Sequence, residues 1–214
     1  MNVLVIGANG QIGSRLVRLL KQQGHHQVKA MVRKLEQEDE LQAEGIETVL
    51  ANLEDRVEVL AEAMQGSDII VFTAGSGGST GDDKTLLIDL DGAVKTMEAA
   101  EKAGIKRYIM VSAMQAHHRE NWVEAIKPYY AAKHYADRML ESTSLNYTIV
   151  RPGGLKNDPG TGKITFDENL EPGSIPRDDV AAVIAALLED RNTYRRAFDL
   201  TSGDTPIDEA FGGA

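Results

Sequence analysis

Three glycines stand at intervals of three in Gly7-Ala8-Asn9-Gly10-Gln11-Ile12-Gly13, directly after the apolar run Val3 to Ile6. In the next segment Ile12, Leu16, Leu19 and Leu20 recur at helical spacing. A glycine turn between a strand and a helix suits the pyrophosphate of a dinucleotide. Gly7 permits a sharp exit from the strand, Gly10 lets the backbone approach the phosphates, and Gly13 lets the helix pack closely on the sheet. The helix N-terminus adds free amides and the positive end of its dipole, and Asn9, Gln11 and Ile12 lie in the same turn. A strand before the turn and an amphipathic helix after it supply the context that separates a phosphate-binding turn from a mere tight bend.

Two further groups could do chemistry. Arg33 and Lys34 follow the second apolar run, where an acidic residue would bind the ribose 2′-hydroxyl and favour NAD. Cations there suit a 2′-phosphate, so NADP is the expected cofactor, with NAD possible. Arg15, early in the first helix, could assist, and ordinary solvated cations are the plain alternative. Tyr129 and Lys133 are four residues apart in a helical segment, hence one turn apart on one face.

The elements that must position these groups alternate. Strand runs are expected at Val3–Ile6, Val28–Val32, Thr48–Ala51, Ile69–Thr73, Tyr108–Val111, Tyr147–Val150 and Ala197–Leu200. Helical patterns fall between them at Leu35–Ala43, Val57–Met64, from Leu86 to Ala100, Tyr129–Leu140 and from Asp178 to Leu188, with Gly24 and Gly104 placed to end two helices. Strands alternating with helices imply a parallel sheet covered on both faces, and the unbroken apolar runs agree. The expected fold is an α/β, doubly wound parallel sheet of the Rossmann type in the order 3-2-1-4-5-6, with room for a seventh strand. Residues 1–214 should form a single domain, with Gly153–Pro176, rich in Gly, Pro, Asp and Asn, as a loop or small substrate-side cap.

Composition narrows the partners. A net charge of -10 repels polyphosphate chains, so no nucleic acid is expected, although a local anion site remains open. No apolar stretch approaches a membrane span, and the N-terminus lacks the basic segment and cleavage site of a secretory signal. The absence of cysteine excludes disulfides and thiolate chemistry, and a cytoplasmic setting follows. The five histidines show no metal spacing supported by carboxylates, so no metal is expected. His117 and His118, after the fifth strand, could give a proton or bind substrate, or be solvated loop residues. Gly75 to Gly81 superficially evokes a phosphate-binding P-loop, but Asp82 and Asp83 intervene before Lys84. It is better taken as a mobile loop near the site. Trp122 is a packing residue or a lip of the pocket.

Together these segments resemble the atypical short-chain dehydrogenase/reductases of the NAD(P)-dependent epimerase/dehydratase-like group, small bacillus-type members above all. The resemblance covers nearly the whole chain. It rests on the glycine turn, on His26 to Arg33, on Ala51-Asn52-Leu53 where the family lines its adenine pocket, and on Thr73-Ala74-Gly75 beside the cofactor. It continues through Asp89-Leu90-Asp91-Gly92, where many members carry Asn at the position of Asp89, then Met110-Val111-Ser112, the Y-x-x-x-K of Tyr129 and Lys133, Arg151-Pro152-Gly153-Gly154 past the nicotinamide, and Asp178-Asp179-Val180-Ala181.

The resemblance implies hydride transfer. Tyr129 would exchange a proton with the substrate oxygen, while Lys133 would hold the ribose hydroxyls and stabilise the tyrosinate. Asn52, Leu53, Thr73, Ala74, Gly75, Ser112, Pro152 and Gly153 would line the cofactor. The family's third catalytic member, a Ser or Thr, would fall on Met114, so Ser112 or His117 would have to substitute, and Tyr130 would take the role of Tyr129 if the register differed by one. The implied activity is an NADP-dependent oxidoreductase or epimerase acting on a small carbonyl or hydroxyl compound. A non-catalytic NADP-binding redox sensor, or a flavin or quinone reductase using NADPH, are the alternatives. A monomer or weak homo-oligomer is expected.

Overall fold

The computed structural model describes residues 1–78 and 80–211. The chain opens with β1 (Asn2–Ile6), α1 (Gly13–Gln23), β2 (Gln27–Val32), α2 (Leu35–Ala43), β3 (Glu47–Leu50), α3 (Val57–Ala63) and β4 (Ile69–Phe72). A continuous helical stretch follows: α4 (Asp82–Lys84), a π-helical segment (Thr85–Gly92) and α5 (Ala93–Lys102). Next come β5 (Arg107–Val111), α6 (Lys127–Ser142), β6 (Asn146–Pro152), β7 (Gly154–Lys156), β8 (Lys163–Asp167), β9 (Ser174–Pro176), α7 (Arg177–Leu187), β10 (Arg196–Ser202), β11 (Thr205–Pro206) and α8 (Ile207–Phe211).

The main sheet has the order β3-β2-β1-β4-β5-β6-β10-β8-β11. From β3 to β10 every pairing is parallel. Chain order reverses between β1 and β4, which places the ligand crevice of a doubly wound sheet at their carboxyl ends. The possible seventh strand is β10.

Side chains alternate across the sheet as strand geometry demands. Leu4, Ile6, Ile70, Phe72, Tyr108, Met110 and Ile149 pack into a core with Leu60 of α3, Met97 of α5 and Leu140 of α6. Val3, Val5, Ile69, Val71, Ile109, Val111 and Val150 point the other way, against Leu16 and Leu20 of α1 and Val180 and Ile184 of α7. Each such fully buried side chain contributes about 1.5–3 kcal/mol, so two apolar layers make the strand runs uninterrupted.

The segment Gly153–Pro176 is more than a loop. β7 and β9 pair as a small parallel ribbon, and β8 joins the main sheet antiparallel to β10. In Lys163-Ile164-Thr165-Phe166-Asp167 the apolar positions alternate, Ile164 is fully buried, and Phe166 packs on Phe198 at 5.6 Å and Phe211 at 4.7 Å between ring centroids. That two-residue pattern was hidden among turn formers.

At the opposite edge from the crevice, buried Arg107 fastens β5 to the end of α7. It donates to the carbonyl oxygens of Leu187 (2.6 Å) and Asn146 (2.9 Å) and to Thr148 Oγ1 (2.7 Å). Among the described residues no helix is long and apolar enough to cross a membrane.

Candidate active site

The glycine turn is built by contact with the start of the fourth-strand loop. Gly7 has φ +82°, and a Cβ there would lie 2.6 Å from Ala74 N, so both conformation and space demand glycine. Thr73 donates from its backbone N–H and from Oγ1, each at 2.9 Å, to the Ile6 carbonyl. A Cβ on Gly13 would strike the Gly7 carbonyl oxygen and lie 2.7 Å from Thr73 Oγ1. Gly10 differs: its missing Cβ would meet only the Gly7 carbonyl oxygen, at 3.0 Å. Packing therefore leaves open the side on which a phosphate would sit. Helix α1 starts there with no side-chain cap and no acidic residue in its first turn; Gly10 N and Ser14 N are taken by the carbonyls of Gly7 (2.9 Å) and Gly10 (2.8 Å), which leaves the amides of Gln11, Ile12 and Gly13 as the candidates for an anion.

The adenosine end also fits. Ala51 N donates to the Val32 carbonyl at 2.9 Å, which brings the residues after β2 and β3 together. Arg33 is exposed, and among the described residues it has no ion-pair partner. Asn52 folds into a local turn, its Oδ1 accepting from Glu54 N at 3.1 Å and its own N–H donating to Asp55 Oδ2 at 2.8 Å. Leu53 is buried beneath it, its Cβ 3.1 Å from where a Cβ on Gly92 would stand. Arg15 serves otherwise than the sequence suggested. It is bound to Asp178 Oδ1 and the Gln11 carbonyl, both at 2.7 Å, and clamps the glycine turn to α7.

On α6 the two adjacent tyrosines have different neighbours. Tyr130 stacks on Trp122 (centroids 6.3 Å apart, planes 10° apart), and the Trp122 indole N–H donates to the Ala116 carbonyl at 3.1 Å, so Trp122 is a packing residue. Tyr129, partly buried, lies instead beside Lys133, whose Nζ is 5.6 Å from its ring centroid. Lys133 is only 4% exposed, and its Nζ is 3.1 Å from Asp89 Oδ1. Asp89 is fully buried in the π-helical segment, a device frequent at functional sites. Its Oδ2 accepts from Ser76 N at 2.9 Å, pinning the loop after β4.

This pair sets the charges that Tyr129 meets. Burial pushes the Tyr129 phenol up, Lys133 opposes, and the Asp89 charge adds to the rise. Burial alone would lower the Lys133 ammonium, but Tyr129 and Asp89 outweigh it and keep it charged. Burial first, with Asp89 adding to it, thus weighs against ionisation of Tyr129.

At the carboxyl ends of β5 and β6, Ser112 and Met114 donate backbone N–H groups to the carbonyls of Val150 (2.8 Å) and Pro152 (3.1 Å). Gly153 N donates to Leu200 O at 2.9 Å, and a Cβ on Gly153 would collide with the Gly173 carbonyl. Gly75 passes over Asp89, where a Cβ would lie 3.1 Å from Oδ1. Ser112 is buried, and its side chain lies against Asp137. Met114 is buried too, so no hydroxyl stands at that position.

Sequence reasoning missed Asp137 and Asp199, which with Arg151 form a buried row of ionisable groups beside Ser112. Arg151 Nε donates to Asp137 Oδ2 at 2.9 Å. The spacing Tyr129, Lys133, Asp137 continues one helical face and was the available signal. His117 and His118 both contact Asn169 Oδ1, at 3.2 and 2.8 Å. No group of metal-binding side chains occurs among the described residues.

Fold and site together define an NAD(P)-binding Rossmann protein. Residues 7–191 match the NAD(P)H-binding family model, and the chain belongs to that family. It is 63% identical, over 98% of both chains, to a Bacillus subtilis protein named an uncharacterized sugar epimerase. Among solved structures, it resembles a Bacillus halodurans protein described as an NAD-dependent epimerase/dehydratase, with TM-score 0.93, 45% identity and 99% of both chains covered. It also resembles the anaerobilin reductase of Escherichia coli O157:H7, with TM-score 0.83, 27% identity, and 95% of this chain and 98% of that one covered.

Proposed function

We propose that the chain is an NADPH-dependent reductase of a small carbonyl compound, with Tyr129 as proton donor. The observation that carries this reading is the Lys133–Asp89 contact of 3.1 Å beside Tyr129. A phenol kept neutral can give a proton to a substrate oxygen as negative charge develops there. An epimerase base would need the tyrosinate, which burial and Asp89 both disfavour.

NADPH, when bound, supplies the hydride. Gly10 and the amides of α1 would hold its pyrophosphate, Arg33 its 2′-phosphate, and Asn52 and Leu53 its adenine side. Lys133, fixed by Asp89, would bind the ribose hydroxyls. Tyr129 Oη would donate its proton to the substrate oxygen, and the Lys133 ammonium would stabilise the phenolate until it regains a proton from solvent. The segment from β7 to β9 would wall the substrate side, and its shortness favours a small molecule over a nucleotide sugar.

The test is turnover of carbonyl compounds with NADPH by Tyr129→Phe. A loss of about 10²–10⁴-fold with NADPH affinity unchanged supports the reading. Undiminished turnover would favour the second reading, a flavin or quinone reductase that takes no proton from tyrosine. Met114 stands where the resemblance places a hydroxyl, and a reductase that needs no tyrosine is unaffected by that loss.

A further inference from the structure

The mechanism above leaves unused a buried group behind β6. In the β6–β10 pairing Arg151 stands opposite Asp199. Asp137 and Asp199 are 2% and 0% exposed, so two carboxyl groups share the space with one guanidinium. Arg151 is committed to Asp137 through Nε, and its Nη2 lies 3.8 Å from Glu141. Among the described residues Asp199 has no lysine or arginine partner. Its Oδ2 accepts from Leu170 N at 3.1 Å, and its Oδ1 has no hydrogen-bond partner. An ionised carboxylate so placed would bear a desolvation cost with no cation to offset it.

The imidazoles supply the second half of the argument. Asn169 Oδ1 is an acceptor, so His117 and His118 each donate to it from Nε2, and a neutral ring then leaves Nδ1 as a bare lone pair. His117 Nδ1 has no hydrogen-bond partner, and it faces Asp199 Oδ1 at 3.9 Å. Two acceptors confront each other, and a single proton between them resolves both. Burial and the neighbouring Arg151 push the His117 imidazole down to about 4, which keeps the ring neutral. Burial raises the Asp199 carboxyl, opposed by the Leu170 amide, Arg151 and His118 and reinforced by Asp137. The geometry assigns the proton to Asp199: a bare Nδ1 lone pair calls for a donor, and the carboxyl facing it has no cation partner among the described residues.

The same residues hold down a strap. Residues 167–173 join β8 to β9, and they are fastened by both imidazoles on Asn169, by Gln115 Nε2 donating to the Leu170 carbonyl at 3.1 Å, and by Leu170 N on Asp199. Gln115 takes up φ +67°, uncommon for a residue with a side chain.

We propose that Asp199 and His117 hold one proton between them, and that this pair fastens the strap 167–173 over the substrate side of the sheet. Asp199 is a positioning residue and does not touch the reacting atoms. The assignment of that side to substrate rests on the reductase reading, but the one-proton latch does not. As pH rises and Asp199 loses the proton, its carboxylate confronts the His117 lone pair and the strap loosens.

The experiment is amide hydrogen exchange at Leu170 together with ¹⁵N NMR of the His117 ring, on the whole chain without added ligand. Wild type, Asp199→Asn, Asp199→Ala and Asn169→Ala are compared between pH 6 and 9. An asparagine amide can donate to His117 Nδ1 and accept from Leu170 N, as the protonated acid does. Asp199→Asn should keep Leu170 protection within about 3-fold and abolish its pH dependence, while Asp199→Ala and Asn169→Ala lower it by about 30-fold. The His117 ring should report a hydrogen-bonded, unprotonated Nδ1 in wild type. Loss of protection in Asp199→Asn as large as in Asp199→Ala, or a doubly protonated His117 ring at pH 7, overturns the proposal. If Asp199→Ala does not fold, Asn169→Ala, which spares the buried carboxyl, decides the strap: full protection there also overturns it. These readouts need neither cofactor nor substrate, so failure of the reductase reading leaves them intact.

Discussion

Lys133 Nζ lies 3.1 Å from Asp89 Oδ1, and the other oxygen of that carboxylate accepts the Ser76 amide at 2.9 Å. One buried side chain thus ties the lysine expected at the cofactor ribose to the loop that follows β4. It also fixes the charge that Tyr129 experiences, because a lysine paired with a carboxylate favours a tyrosinate less than a lone one does.

Asp89→Asn should let Lys133 act on Tyr129 unopposed. The phenol then ionises more easily, so the alkaline limb of the pH–rate profile for reduction moves to lower pH. Leaving Lys133 buried without its partner should also cost about 3 kcal/mol, read as a lower denaturant midpoint. A profile that does not move would remove Asp89 from the proton chemistry.

Gly7→Ala and Gly10→Ala should separate folding from binding. At Gly7 the positive φ and the 2.6 Å approach to Ala74 predict a loss of about 1–3 kcal/mol of stability. At Gly10 the added methyl meets only one carbonyl oxygen, so stability should fall by about 1 kcal/mol or less. Affinity for NADPH, titrated by fluorescence, should nonetheless drop at least about 10-fold, since hydrogen bonds to a charged group are worth about 1.5–3 kcal/mol each.

On the proposed reading, in which Arg33 binds a 2′-phosphate that NADH lacks, Arg33→Ala should weaken NADPH binding by about 10-fold and leave NADH binding unchanged. Equal losses for both cofactors, in parallel titrations, would refute the 2′-phosphate role.

Arg107→Met should be among the most destabilising changes in the chain. It strips the carbonyls of Leu187 and Asn146, together with Thr148 Oγ1, of a donor. Each unsatisfied buried group costs about 1–3 kcal/mol, so a loss above about 3 kcal/mol is expected by thermal or denaturant unfolding. A change below about 1 kcal/mol would mean that water replaces the guanidinium.

His117 gives an acid-side prediction. Its folded value near 4 lies below the ordinary value of 6.5, so the unfolded chain binds the proton more readily in that window. Stability should therefore fall as pH drops from 6.5 toward 4, and His117→Gln should flatten that slope in melts recorded across the range.

Much of the architecture was legible in local pattern. Leu35–Ala43 is helical over the span that its sequence suggests, and the apolar runs mark each central strand to within a residue or two. β8 was not legible, because its alternation of Ile164 and Phe166 is short and lies among Gly, Pro and Asp. The glycine turn and the shared face of Tyr129 and Lys133 follow from spacing alone. The role of Arg15 did not, since a cation near a phosphate turn and a cation clamped by Asp178 look the same in one dimension.

What the sequence by itself determined was the order of strands and helices, the reversal point with its glycine turn, and the helical face that carries Tyr129 and Lys133. These depend on interactions a few residues apart, where side-chain period and backbone freedom decide. Only the tertiary structure decided which charge meets which. Asp89 pairs with Lys133, and Arg151 takes Asp137 and leaves Asp199 to a proton, because residues remote in the chain are brought into one buried volume. There, each ionised group must find a partner or give up its charge.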